Sequence, residues 1–290
     1  MNNFTISAFA DEISTEVNEQ IRVLTQNGIS HIEVRGLDGK NVSELTLEEV
    51  KEYKKKFDAA GISVSSIGSP IGKININDPF EQHLELFKHV LNIAEVFESP
   101  FIRMFSFFID ETENYDDYEK QVIERWQQFL EVAKNFPKIT LLHENEKEIY
   151  GDTPERCLNL LNKLNSSQLK AAFDPANFVQ CDVEVYPKAF EMLKDHIVYM
   201  HIKDAKYSDH EVTPAGHGDG KIYTVLNNLS ENNFKGFASL EPHLTMFDGF
   251  AELENKNVSG LKEDDNIRLF NVAAHALKKI IVDDMKQEWK

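Results

Sequence analysis

The stretch Lys138-Ile-Thr-Leu-Leu-His-Glu-Asn-Glu-Lys-Glu-Ile-Tyr150 runs from apolar residues straight into ionisable ones. Ile139 to Leu142 is short, apolar and partly β-branched, the pattern of a buried strand. It stops at His143, Glu144 and Glu146. Gly151-Asp-Thr-Pro154 follows and predicts a helix start, with Thr153 as N-cap and Pro154 at the first helical position. Charged groups therefore stand where a buried strand meets a loop. Burying a carboxylate without a partner is costly, so these groups must face a cation or open at a mouth. The same layout returns three times downstream, at Asp174, at His201 and at Glu241.

Outward from this stretch, the chain repeats strand then helix. Strands are predicted at Thr5–Phe9, Ile29–Val34, Ile62–Ile67 and Phe101–Phe105, before the opening one. Three more follow at Leu169–Phe173, Ile197–Ile202 and Ala238–Leu240. Helical spacing separates them, as in Val17, Ile21 and Leu24, or Leu84, Phe87, Leu91 and Ala94. A short helix is predicted near Val185–Leu193 and a long one at Ile267–Met285. Alternating strands and helices imply parallel strands with crossover helices. Eight such units, with no linker-like break, predict one (β/α)8 barrel spanning residues 1–290. An open doubly wound sheet is disfavoured, because the first turn, Ala8-Phe-Ala-Asp-Glu-Ile-Ser14, lacks a Gly-rich phosphate fingerprint. Asp248–Asp265 is acidic and polar and reads as a solvated loop, with a lid or subunit contact as the alternative.

Composition narrows the function. The 290 residues are 41% hydrophobic and 28% charged, which fits a soluble globular protein. Thirty-one basic against 49 acidic side chains give a net charge of −18. Such a surface repels phosphate backbones and anionic membranes, so neither nucleic acid nor a membrane is expected as a partner. No apolar run reaches the ~20 residues of a membrane span. The start, Met1-Asn-Asn-Phe4, lacks a secretory pattern. Cys157 and Cys181 form no close metal pair, and so few cysteines point to a reducing cytoplasm. Oligomeric state stays open, and a homo-oligomer is compatible with everything above.

In a barrel of this kind the C-terminal strand ends form the active face. Glu144, Asp174, His201 and Glu241 would lie at the ends of strands five to eight, neighbours around the barrel. Singly, each has an ordinary reading: a helix cap or solvated loop group for the acids, a core residue for the histidine. On four consecutive strands they read as ligands of one divalent ion. The oxygen-rich set favours Mn²⁺, with Mg²⁺ or Zn²⁺ as alternatives. Substrate-binding candidates are Arg35, Arg103, Lys203 and Asn177. Their competing readings are an Arg35–Glu33 pair, a Lys203–Asp204 pair and a turn residue for Asn177. Gly216, His217, Gly218 and Gly220 read as a flexible loop rather than an anion nest. Asp11, Glu12, Glu146 and His243 complete a polar rim.

Several of these pieces resemble the xylose isomerase-like barrels, the sugar phosphate isomerase/epimerase family. They are Leu142-His-Glu-Asn-Glu146 with Gly151-Asp-Thr-Pro-Glu155, Phe173-Asp-Pro-Ala-Asn177, Met200-His-Ile-Lys-Asp204, Gly216-His-Gly-Asp-Gly220 and Leu240-Glu-Pro242. The resemblance implies one divalent metal on Glu144, Asp174, His201 and Glu241, and a substrate-side Lys203. It also exposes departures. Asn177 stands where the ketose 3-epimerases place a histidine, Tyr207 where they place an arginine, and Tyr150 where they place a glutamate. These count against that type of epimerase. Asn177 also misses a ligand of the endonuclease-type members, and the charge opposes DNA.

The expected chemistry is proton abstraction next to a carbonyl, through an enediolate stabilised by the metal. Glu144 and Glu241 would take and return the proton, isomerising or epimerising a sugar or sugar phosphate. A dehydratase or lyase of a keto-polyol or shikimate-type acid shares the first half of that reaction. A non-catalytic carbohydrate-binding protein is the alternative from another class.

Overall fold

The computed structural model describes residues 3–244 and 265–290. Eight parallel strands form one sheet: β1 Phe4–Ala8, β2 His31–Val34, β3 Ser63–Gly68, β4 Phe101–Met104, β5 Thr140–Glu144, β6 Leu169–Phe173, β7 Ile197–Ile202 and β8 Gly236–Leu240. Their order is β1-β8-β7-β6-β5-β4-β3-β2. The remaining seam, between β1 and β2, is joined by a parallel bridge from Phe9 to Glu33. Lower in that seam the Ile6 amide donates to the Lys290 carbonyl at 2.5 Å, so the C-terminal tail satisfies the edge that β2 does not reach. The expected (β/α)8 barrel is the observed fold. Among the described residues no helix is long and apolar enough to cross a membrane.

The helices are α1 Val17–Gln26, α2 Leu47–Ala60, α3 Glu81–Phe97, α4 Glu119–Ala133, α5 Pro154–Leu164, α6 Pro175–Gln180, α7 Phe190–Leu193, α8 Ile222–Glu231 and α9 Asp265–Lys278. The start signal of α5 acts as the sequence predicts, while α1 begins at Val17 with no side-chain cap. Thr153 accepts the Arg156 amide, and Pro154 begins α5. The stretch 248–264 lies outside the described residues, and Asp265 opens α9. Two short hairpins and the one-and-a-half-turn helix α6 have no counterpart in the sequence reading.

Strand alternation divides the protein into two interiors. Outward residues such as Leu141 pack with the helices in one large apolar layer. Inward residues fill the barrel. Leu142, Ala172 and Tyr199 pack there with Phe101 and Phe237. Ser7, Ser65 and Tyr199 form a buried hydroxyl chain, with oxygens 2.6 and 2.8 Å apart. Above it, at the C-terminal ends, the inward positions become ionisable. His143 shows how sharp the division is. It points outward, its Nε2 is 2.9 Å from Ser106 Oγ, and its ring meets Trp126 edge-on. Burial lowers its pKa to about 4, so it is a neutral core residue and not part of the mouth.

The loop after β7 is anchored from within. Asp204 is buried and accepts four amides: Ala205 at 2.9 Å, Gly216 and Gly218 at 3.0 Å, and Gly220 at 2.8 Å. A Cβ on Gly218 would stand 2.4 Å from both Asp204 Oδ1 and the Ala205 carbonyl oxygen, so only glycine fits. The glycine cluster is thus a nest for a carboxylate of the same chain rather than a flexible loop. Asp204 serves the nest, and Lys203 pairs elsewhere. Removing Asp204 would strand several amides. We expect Asp204→Ala to destabilise the fold by about 3 kcal/mol or more, as measured by urea unfolding.

Candidate metal centre

Each member of the cluster is delivered by a strand end. Glu144 ends β5, Asp174 follows β6, His201 lies in β7 and Glu241 follows β8. All four are buried, and one donor atom from each lies within 4.8 Å of the others. His201 Nδ1 is 2.7 Å from Glu144 Oε1 and 3.8 Å from Glu241 Oε2. Lys203 Nζ stands 3.1 Å from both Asp174 Oδ2 and Glu241 Oε2. Arg103 Nη1 is 3.3 Å from Glu144 Oε2.

Asp174 does two jobs. Its Oδ1 accepts the Asn177 amide at 2.9 Å and caps α6, while Oδ2 faces the cluster. Asn145 fixes its backbone, donating to the Asp174 carbonyl at 2.8 Å and accepting its amide at 2.9 Å. Asn177 then donates to the Asn145 carbonyl at 2.9 Å and lies 3.4 Å from Glu144 Oε1. Its amide nitrogen is therefore committed to protein partners beneath Glu144.

The charges compete for limited compensation. Burial alone would raise Glu144, but His201 and Arg103 draw its pKa down to about 2. Burial likewise opposes ionisation of Glu241, and Lys203 and His201 overcome it, holding its pKa well below the ordinary range. Asp174 is the exception. Burial dominates, Lys203 opposes it only in part, Glu241 and Glu144 add to it, and its pKa rises to about 7. Burial disfavours the His201 cation, yet Glu144 and Glu33 push its pKa well up.

The set suits a divalent cation. Glu144 Oε2 and Asp174 Oδ2 are buried and accept no hydrogen bond, each facing a charged nitrogen instead. The four inner carboxylates, Glu33, Glu144, Asp174 and Glu241, are matched by two buried cations, Arg103 and Lys203. In the metal-free site protons on His201 and Asp174 offset part of this charge, and a divalent ion would take their place. Three carboxylates and an imidazole are ligands for Mn²⁺, Mg²⁺ or Zn²⁺.

A family model, the xylose isomerase-like TIM barrel, matches residues 21–256. The chain belongs to the xylose isomerase-like TIM barrel family. No curated protein matches its sequence. Among solved structures, the IOLI protein with a bound zinc atom aligns over 97% of this chain and 99% of its own, with a TM-score of 0.72 and 14% identity. A D-tagatose 3-epimerase-like protein aligns over 98% of this chain and 100% of its own, with a TM-score of 0.69 and 17% identity. A probable 3-DHS dehydratase, AsbF, from Bacillus anthracis aligns over 83% of this chain and 92% of its own, with a TM-score of 0.67 and 17% identity. At such identities the likeness is one of fold.

Within this xylose isomerase-like barrel the other candidates take specific places. Arg35 does not pair with Glu33. It reaches Asp11 at 2.7 Å, Glu12 at 3.1 Å and Glu241 at 3.3 Å, and lies over the Phe9 ring. Arg103 sits between the Phe9 and Phe105 rings. On the rim, His243 Nε2 is 2.9 Å from Glu12, and Lys73 is 3.3 Å from Glu146. Glu12, Glu241 and His243 form a second acidic group, but Arg35 already lies among them. Of the positions that depart from the 3-epimerases, Tyr150 is buried and bonded to Asn159, and Tyr207 donates to the Val183 carbonyl.

Two residues of the site escaped the sequence reading. Asn145 carries no sequence signal that separates it from a loop residue. Glu33 did carry one: it shares inward strand parity with Arg35.

The raised Asp174 pKa has a measurable consequence for the metal-free protein. The folded state keeps a proton that the unfolded chain, with an ordinary value of 3.8, has released. The stability from this group is full below about pH 4 and is lost as pH rises to about 7. Asp174→Asn is expected to remove that decline. In chelator, the variant should unfold at higher urea than wild type at pH 8, with the difference shrinking towards pH 4.

Proposed function

We propose that the protein is an isomerase or epimerase that depends on a divalent cation and acts on a sugar or sugar phosphate. One observation carries this reading: two buried, ionised glutamates, Glu144 and Glu241, face the same imidazole nitrogen from β5 and from the end of β8. Glu144, Asp174, His201 and Glu241 would hold the cation, Mn²⁺ in the first place, with Mg²⁺ or Zn²⁺ as alternatives. When bound, it supplies positive charge to a carbonyl oxygen and to the enediolate that follows loss of the neighbouring proton.

The chain's own groups account for the proton transfers. Both glutamates have lowered pKa values, so both are ionised at neutral pH and ready to accept a proton. The same lowering makes them weak bases, competent only towards an already acidified C–H. One glutamate takes the proton from carbon, and the other, once it has picked up a proton from water or a substrate hydroxyl, returns one. Return to the opposite face of the same carbon is epimerisation, and return to the adjacent carbon, with the hydroxyl proton passing between the two oxygens, is isomerisation. Lys203, held protonated between Asp174 and Glu241, offers a hydrogen bond to a substrate oxygen. Arg103 and Arg35 would line the approach to a hydroxyl, carboxylate or phosphate group.

The fold-level neighbours include a protein with zinc, an epimerase-like protein and a probable dehydratase, so they support the class of chemistry and leave the outcome to experiment. The test is solvent deuterium exchange over a panel of ketoses and their phosphates, after elemental analysis of the bound metal. We expect deuterium at the carbon next to the carbonyl. Glu144→Gln and Glu241→Gln should each lower exchange by at least about a hundredfold. Wild-type exchange in either variant would sink the two-base scheme. Release of water from the substrate would instead mark a lyase, and binding without exchange a carbohydrate-binding protein.

A further inference from the structure

The imidazole of the cluster is held by a residue outside it. Glu33, in β2, has no exposed surface. Its Oε2 and Oε1 lie 3.2 and 3.4 Å from His201 Nε2. The opposite nitrogen, Nδ1, faces Glu144 and Glu241. The ring is thus gripped across its width. Phe9 and Tyr199 meet it edge-on, with centroids 5.3 and 5.7 Å away, and restrict its rotation.

The sheet is shaped to make this contact. The β2–β3 register shifts between Ile32 and Glu33, a bulge of the kind that re-aims a side chain. The bridge from Phe9 to Glu33 then fixes the same residue at the barrel seam. Arg35, two positions along, pairs with Asp11, Glu12 and Glu241. Glu33 is left to the Tyr199 hydroxyl and the His201 ring nitrogen. A neutral imidazole has one donor and one acceptor, while a carboxylate only accepts. With the Nε2 proton directed at Glu33, release of the Nδ1 proton, which faces Glu144 Oε1 at 2.7 Å without a cation, would leave a lone pair on the cluster side.

We propose that Glu33 is a positioning residue for cation binding: it holds His201 as the Nε2–H tautomer with Nδ1 aimed at Glu144, Asp174 and Glu241. This rests on the cation-binding reading above. A carboxylate behind a ligating imidazole both orients the ring and raises its basicity.

The test titrates the full chain with Zn²⁺ against a chromophoric chelator at pH 8. Wild type, Glu33→Gln, Glu33→Leu and Asp174→Asn are compared, with folding checked by circular dichroism. Folded Glu33 variants should bind Zn²⁺ about 10- to 100-fold more weakly. In parallel, ¹⁵N-histidine NMR of the wild-type Zn²⁺ complex, assigned through His201→Gln, should show a metal-bound Nδ1 and a protonated Nε2. Unchanged affinity in a folded Glu33 variant, while Asp174→Asn loses binding, would overturn the role of Glu33 alone. A metal-bound Nε2 would overturn it as well, even if both Glu33 variants fail to fold. No Zn²⁺ binding by wild type would remove the cation reading and this role together.

Discussion

Four carboxylates share the closed interior of one barrel mouth, and their mutual repulsion governs everything around them. Water cannot solvate them there, so each needs a cation or a directed hydrogen bond. The surrounding side chains are arranged around that need. Arg103 answers Glu144, Lys203 stands between Asp174 and Glu241, and Arg35 reaches Glu241 from the rim. His201 lies between Glu144 and Glu33 and serves both. Asp174 is less compensated than Glu144 or Glu241, which is why its pKa rises while theirs fall.

This concentration of charge is tolerable because the rest of the barrel is independent of it. Strand alternation sends half of each strand into a dry layer against the helices, where Trp126, Phe129 and their neighbours pack. The other half stacks inside the barrel from aromatic and aliphatic residues, through serine hydroxyls, to ionisable groups. Apolar burial in the outer layer offsets the electrostatic cost at the mouth. Apolar packing and ionisable groups therefore occupy opposite faces of the same strands.

Loops are tied to the site by backbone bonds rather than by apolar contacts. Asp204 gathers the amides of Gly216, Gly218 and Gly220, and Asn145 clasps the backbone of Asp174. Asp174 starts α6 with one oxygen and faces the cluster with the other. Helix cap and cluster member, set apart as rival readings in the sequence, are two uses of one carboxylate. Such double use makes the position of each donor depend on secondary structure, which is stiffer than a free loop.

Residue order alone was enough for the eight strand–helix units, because periodicity and caps are local properties of the chain. It was also enough to place Glu144, Asp174, His201 and Glu241 at successive strand ends, since parity and position along a strand are local too. Partnership was not legible. Glu33 and His201 are 168 residues apart, and the pairing of Arg35 with Asp11, Glu12 and Glu241 depends on the rim loops as well as on its strand. Those contacts follow from strand register, from the bulge at Ile32/Glu33 and from the way the sheet curls until β1 meets β2. Only closure of the ring brings side chains from opposite walls within hydrogen-bonding distance, so only the tertiary structure could decide which acid holds which base.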